Sequence, residues 1–531
     1  MEKAMKITTA LVVVVLAFGA LSAADAAEPV PTHETAPDSP KIETDIPLAP
    51  GFPIEMGAGD RPYPPVNIRG PVLADLDGGG DLEIVYSSSD CSFNPSCDIG
   101  EIRVWDSGGE SIAGFPVELT GGAMFAPSVA DLDRDGDQEI VQVTVDASWN
   151  ARVYVVDHQG AVLPGFPAFA GPASALDGAV LHDLDGDGML EILYSGSSAL
   201  YVFEANGSQW SDNWPYTVNA LAHGSPAVGD VDLDGSPEIF ASGLETVFLI
   251  DVDGDLLPGW PLTLWHETNQ LTGFSSGVMA DLDGDRDLEL IIAGSYQGTA
   301  VDDDENEVSA YFYVVHALHH DGTPVAGWPQ ALLPKRHMNF SASAPLVTDL
   351  EGDGVLEVLL GSASLTRGRP MVYAWDASGN QKTGFPYEYP EDFAGGVSTL
   401  SAADIDGDGL MEVFGDTAMN DSSDHLGWIV GIDAGGSNLD GFPLRPLGMT
   451  DLNGVVFADI DSDGDYELAT ATFDILDMMS RVYVYDLPGH YTSSYRDWLT
   501  YQASNKRTGQ AKSRYRGWRV GRAGSRRGGT R

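Results

Sequence analysis

Long apolar runs are missing from this chain once its first two dozen residues are passed, so nothing after them is fit to cross a bilayer as a helix. Cysteine is nearly absent. The only two, Cys91 and Cys97, stand in CSFNPSC with no His beside them, so a zinc site there would lack ligands. The closer Cys-x-x-Cys spacing of a redox pair is missing too. Basic residues are scarce: 27 Lys and Arg against 80 Asp and Glu give a formal charge of -53, which sets most of the surface against nucleic acid. No nucleophile elbow, P-loop or Rossmann glycine signature stands out. Positive signs of an enzyme are lacking, and the expectation is that the chain is not one.

What is present points to a folded, all-β protein. Of 531 residues 43% are hydrophobic and 9% aromatic, enough for a large core. The 62 Gly and 32 Pro favour short strands and tight turns. At the N-terminus, Lys3 and Lys6 precede an apolar run from Ile7 to Leu21 and the small residues Ser22 to Ala27, the pattern of a cleavable signal peptide over residues 1–26. A retained anchor is the alternative, but the run is short of the roughly 20 residues a span needs. An exported chain meets an oxidising compartment, where Cys91 and Cys97 are expected to form a local disulfide. Residues 27–50 read as a Pro-rich linker.

A search for internal repeats finds one nine-residue acidic pattern eight times. Loop one (75–83, DLDGGGDLE) offers Asp75, Asp77, Asp81 and Glu83. Loop two (131–139, DLDRDGDQE) offers Asp131, Asp133, Asp135, Asp137 and Glu139. Loop three (183–191, DLDGDGMLE) offers Asp183, Asp185, Asp187, Met189 and Glu191; loop four (230–238, DVDLDGSPE) offers Asp230, Asp232, Asp234, Ser236 and Glu238. Loop five (281–289, DLDGDRDLE) offers Asp281, Asp283, Asp285, Asp287 and Glu289; loop six (349–357, DLEGDGVLE) offers Asp349, Glu351, Asp353, Val355 and Glu357. Loop seven (404–412, DIDGDGLME) offers Asp404, Asp406, Asp408, Leu410 and Glu412; loop eight (459–467, DIDSDGDYE) offers Asp459, Asp461, Asp463, Asp465 and Glu467.

Carboxylates at positions one, three, five and nine, with a backbone carbonyl near position seven and Gly usually at six, can converge on one cation. Hard oxygen donors in a flexible turn suit Ca²⁺ better than Mg²⁺ or a transition metal, so up to eight Ca²⁺ are expected. Without a cation, carboxylates packed this closely repel one another. An Asp-Gly turn with no metal is the plainer alternative. An EF-hand needs a bidentate Glu at position twelve, where Gln142, Tyr194 and Ile292 stand. The weakest sites should be loop one, with Gly79 at position five, and loop five, with Arg286 at position six.

Apolar, β-branched runs such as EIVQV, EILYS and ELIIA follow each loop, and short pieces such as APSVAD and SPAVGD precede it. Further on comes another apolar run with an Asp or Asn turn, as in RVYVVDHQG, and then Gly-aromatic-Pro, as in Gly165-Phe166-Pro167 and Gly327-Trp328-Pro329. Four short strands per unit, with a period of about 55 residues, mark a propeller blade. These units resemble the FG-GAP or VCBS repeats of bacterial surface proteins, and more distantly the integrin α-subunit propeller. The resemblance covers roughly Gly51 to Pro488 and implies a calcium-binding β-propeller, expected as a domain over residues 51–490. Residues 491–509 look like the closing segment of such proteins.

One Gly-aromatic-Pro signal, Gly51-Phe52-Pro53, precedes loop one, and none follows loop eight. An N-terminal strand that completes the last blade explains the offset and leaves no sheet edge open, which gives eight blades; seven plus a detached unit is the alternative. The acidic loops and the Asp turns then share one face. The opposite face carries the variable connections, with insertions at Cys91, at SYQGTAVDDDENEVSAY and at DTAMNDSSDHLG. Binding specificity commonly resides in such variation, although tolerated drift also produces it.

His316, His319 and His320 read as a mixture of surface and core residues and not as a zinc site. Trp260, Trp328 and Phe166 read as packing between blades and not as a sugar-stacking platform. Residues 510–531 form a basic tail, either a solvated, disordered end or a tether to anionic polymer. The expected function is that of an exported, monomeric module, secreted or at the cell surface, that binds or adheres to an extracellular protein or glycan, with structural Ca²⁺. A polysaccharide lyase on a propeller scaffold and a purely architectural surface protein are the alternatives.

Overall fold

The computed structural model describes residues 46–57, 70–89, 99–123, 125–173, 178–218, 224–301, 306–332, 335–336, 344–363, 370–389, 397, 399–416, 426–450, 454–474, 477–489, 504, 506–508 and 510–511. The expected signal peptide, most of the linker, Cys91 and Cys97, most of the insertion after Asp416 and the tail beyond Ala511 lie outside them.

Among the described residues there is no helix, and every strand pairs antiparallel with its neighbours. The apolar runs after each acidic loop are the second strands of successive sheets, as β-branched composition requires. Glu139–Val145, for example, is EIVQVTV and is buried along its whole length, because another sheet covers each of its faces. The first sheet runs Val72–Ala74, Glu83–Ser89, Ile99–Trp105, Val117–Thr120, in sequence order. The plan recurs through the chain, and each acidic loop joins the first and second strand of one sheet.

The sheets stack face to face in chain order around a ring. One cluster joins Val85 and Ile102 of the first sheet to Ile140 and Val156 of the second, and another carries Val141 and Val153 on to Ile192 of the third. Ile84 and Tyr86 of the first sheet pack in turn on Ala469, Val482 and Val484 of the last. That last sheet holds Val456–Ala458, Glu467–Asp474 and Met479–Asp486, and its fourth strand is Ile54–Gly57 from the N-terminus. Ile54 faces Val482 and Gly57 faces Met479. Just upstream, the Ala49 N–H donates to Val484 O at 2.9 Å and the Asp486 N–H to Pro47 O at 3.0 Å, so the end of the segment expected as linker already belongs to the sheet. The expected clasp is therefore present.

The Gly-aromatic-Pro signals join neighbouring sheets. A Cβ on Gly327 (φ +93°) would lie 1.9 Å from Ser378 O, and one on Gly51 (φ +94°) would lie 2.0 Å from Gly108 O, each in the Asp turn of the adjoining sheet. Only Gly allows that approach. The Trp at the middle position adds a bond: Trp328 Nε1–H donates to Ala377 O at 3.0 Å, Trp260 to His320 O at 2.8 Å and Trp214, in the variant Asn213-Trp214-Pro215, to Val252 O at 3.0 Å. Trp260 and Trp328 are buried, and Phe166 is half-buried against the core, so these aromatics pack between sheets as expected. Gly327→Ala should cost about 2–3 kcal/mol, from the clash and the left-handed backbone together. A urea melt unchanged from wild type would refute that.

At the other end of the chain, Lys506 O and Thr508 O accept from the N–H groups of Leu181 and Val228 at 2.9 and 3.0 Å, and Gln510 bridges Met279 in parallel. These partners lie on the first strands of the third, fourth and fifth sheets. Arg507 between them is only 1% exposed. The closing segment thus crosses three inner strands, and its run continues into Gln510 and Ala511, where the basic tail was expected to start.

Candidate metal centre

All eight acidic loops share one backbone shape. Position four has φ between +62° and +84°, and position six between +90° and +104°. Gly fills position six in seven copies and Arg286 stands there in loop five at φ +92°. Ordinary side chains pay for that conformation with roughly 1–3 kcal/mol of strain. Arg286→Gly is expected to stabilise the protein by about 0.5–1 kcal/mol, after allowing for the freer unfolded chain. A lower melting temperature for the variant would contradict this.

The Glu at position nine closes each loop from inside. Its Oε2 accepts the position-two N–H in all eight copies: from Leu76 at 2.9 Å in loop one, Leu184 at 2.7 Å in loop three, Val231 at 2.9 Å in loop four and Ile405 at 3.0 Å in loop seven, for example. The position-one carboxylate accepts the position-six N–H, as between Asp183 and Gly188 at 3.0 Å or Asp404 and Gly409 at 3.1 Å. The position-five side chain takes the position-seven N–H, as between Asp187 and Met189 at 2.7 Å. Loops are also tied to one another. Gln138 N–H donates to Leu76 O, Leu190 N–H to Leu132 O, and Met411 N–H to Leu350 O, at 2.7–3.0 Å.

What these bonds leave over is a set of converging oxygens. Oxygen atoms of Asp183, Asp185 and Glu191 lie within 4.8 Å of one another, as do those of Asp230, Asp232 and Glu238 and those of Asp283, Asp285, Asp287 and Glu289. Oδ1 of Asp75, Asp230 and Asp459 is buried with no hydrogen-bond donor to it. Burial pushes the position-nine carboxyls up, and the neighbouring Asp side chains push the same way. Glu139, Glu191 and Glu238 rise to about 7, and Glu289, Glu412 and Glu467 to about 8. Orphaned oxygens and carboxyls held so far above the ordinary range fit a place for a positive ion, and these acidic clusters can hold a metal. In loop one, Gly79 contributes no side chain to this set.

Sequence reasoning missed the basic groups that the Asp turns bring onto these loops. His158 Nδ1 lies 3.2 Å from Asp137 Oδ2 in loop two, while in loop five His319 Nδ1 lies 3.2 Å from Glu289 Oε1 and His320 Nδ1 lies 3.2 Å from Asp287 Oδ2. Lys382 reaches loop six in the same manner. Since turn and loop share a face, the residues in and just after each of these turns were the signal to read. His316, by contrast, is a buried residue whose basicity desolvation lowers to about 4. The expected mixture of core and surface His is what the fold contains.

A family model for the FG-GAP-like repeat matches residues 183–241 and 349–415, which contain loops three, four, six and seven. No curated protein matches the chain. Among solved structures, the V. cholerae biofilm matrix protein Bap1 aligns over 86% of this chain and 94% of its own, at 14% identity and a TM-score of 0.39. The exotype rhamnogalacturonan lyase YesX aligns over 82% of this chain and 75% of its own, at 16% identity and a TM-score of 0.49. The Dos1 propeller aligns over 85% and 98%, at 11% identity and a TM-score of 0.42. Antiparallel sheets packed around a ring make the fold a β-propeller, and within it residues 183–241 and 349–415, with their Asp-rich loops, match the FG-GAP-like repeat.

Proposed function

We propose that the protein is an exported, eight-bladed, calcium-binding propeller that acts as a binding or adhesion module for an extracellular protein or glycan. Eight loops, each opening a sheet that packs on the next, support the blade count. The oxygen-only donor sets in flexible turns favour Ca²⁺, which would offset the repulsion among the carboxylates it touches. Bound there it is a staple: the carboxylates are spent on closing their own turns, and the turns are bonded to their neighbours.

Contact with a partner then falls to the opposite face, and one feature of that face carries the reading. The inserted hairpin of the fifth sheet, Glu289–Val301 with Glu307–Leu318, extends well past the strands beside it. On it Tyr296 stacks on Phe312 at 5.0 Å, and His266, from the short hairpin Trp265–His266 with Asn269–Gln270, stacks on Tyr296 at 6.1 Å. Trp265 beside them is 50% exposed. Aromatic rings grouped on a protruding hairpin suit stacking on sugar rings or burial against a protein.

The test is retention of immobilised glycans and extracellular proteins by the calcium-loaded chain. Trp265→Ala, at the exposed ring, should weaken the retained pair about tenfold or more, the loss of one aromatic anchor, with the melting temperature little changed. Release of cleaved, unsaturated sugars would overturn the reading in favour of a lyase. No saturable ligand at all would leave an architectural role.

A further inference from the structure

Position three of the acidic loop is Asp in seven copies and Glu351 in the sixth. Two residues before the Gly of the other Gly-aromatic-Pro signals stand the apolar residues Ala49, Ile112, Leu163, Leu257, Val325 and Leu439, whereas the sixth unit has Lys382. The two departures meet in space. Lys382 Nζ lies 2.8 Å from Glu351 Oε2 and 3.0 Å from Glu357 Oε1. The Lys382 side chain is 15% exposed and that of Glu357 is 1%.

Several details fit a built arrangement. Glu357 Oε2 already takes the Leu350 N–H at 2.8 Å, so with Lys382 on Oε1 both oxygens of this buried carboxylate have a donor. The Lys382 N–H donates to Ala374 O at 2.9 Å, which fixes where its side chain starts. At position three, the extra methylene of Glu351 over Asp carries a carboxylate out to the same ammonium. The His groups on loops two and five each meet single carboxylates at 3.2 Å, whereas Lys382 joins positions three and nine of one loop.

We infer that the Lys382 ammonium closes the sixth loop in place of a divalent cation. The inference rests on the proposal that the other loops hold Ca²⁺. A divalent ion among the same oxygens would sit a few ångströms from a fixed positive charge, in a partly buried site where that repulsion is strong. The sixth blade therefore keeps its loop shape when metal is stripped, and the chain holds at most seven ions of this class.

The full chain is stripped with EDTA, dialysed to equilibrium against millimolar CaCl₂ and assayed for bound Ca²⁺ by atomic absorption. Asp408→Asn in loop seven should lose one ion relative to wild type, whereas Asp353→Asn in loop six, at the same position, should lose none. Lys382→Met should gain one ion, and its melting temperature, lowered in EDTA, should recover in Ca²⁺. Because Asp353 is exposed, its variant remains informative if the Lys382 variant fails to fold. Loss of one ion by Asp353→Asn overturns the inference and leaves the calcium proposal intact. Loss by neither Asn variant overturns the calcium proposal and this inference with it.

Discussion

In excess EDTA at pH 8 the protein is expected to melt far below its melting temperature in millimolar Ca²⁺, and the gap should narrow as the pH falls to 5. Position-nine carboxyls that titrate at about 7 to 8 in the fold, against an ordinary value of 4.5, bind more protons in the folded state than in the unfolded one throughout that window. Stability of the cation-free protein therefore falls as pH rises from about 4.5 to 8. With a cation bound the carboxylates are ionised, so protons compete with metal and the dependence runs the other way. At roughly ten times a dissociation constant of about 0.1 mM, each filled loop contributes about 1.4 kcal/mol by mass action, on the order of 10 kcal/mol for the ring. Glu412→Gln should separate the two regimes, stabilising the stripped protein at pH 8 and destabilising the loaded one. Superimposable melts in EDTA and Ca²⁺ at pH 8 would refute the metal reading.

Deleting residues 46–57 is the second change with a large expected effect. It removes the partner of Met479–Asp486 and leaves a long strand with an open edge. It also strips Ala49 and Met56, with Phe52 and Ile54 beside them, from the cluster that joins the last sheet to the first. Arg481, nearly buried, loses the Glu55 carboxylate 3.0 Å away. Apolar burial at about 1.5–3 kcal/mol per large side chain, with about 1 kcal/mol per ladder bond, brings the loss to roughly 5–10 kcal/mol. That is comparable to the whole stability of an ordinary domain. The truncated chain should aggregate or melt early, and a synthetic peptide of residues 46–57 should restore part of the transition. A truncated protein that melts like the full chain would show the clasp to be dispensable.

Much of this was legible in the sequence because the repeat writes the same instruction many times. The strand runs, the loop period and the displaced signal at Gly51 gave the sheets and their closure, since each is a local pattern with a local physical cause. The site was readable only in part. Asp and Glu spacing located the converging oxygens, but two uses of those groups were hidden. The bond from each position-nine Glu back to the position-two N–H depends on burial, which the pattern does not encode. The approach of His158, His319, His320 and Lys382 depends on two hairpins of one sheet lying side by side. The stacked group of His266, Tyr296 and Phe312 escaped notice because Tyr296 and Phe312 pair across one hairpin while His266 comes from another.

The ring is held at both chain ends. Glu55 meets Arg481 across 426 residues, and Lys506, Thr508, Gln510 and Ala511 meet strands laid down hundreds of residues earlier. A nascent chain that has emerged from the ribosome as far as the seventh sheet still lacks the partner of its first strand and the segment that crosses its inner strands. Contacts so distant in sequence form slowly, because the loop between them must close first. Closure of the ring thus waits for the segment that ends at Ala511, and shorter lengths of chain expose edges and apolar faces for chaperones to cover.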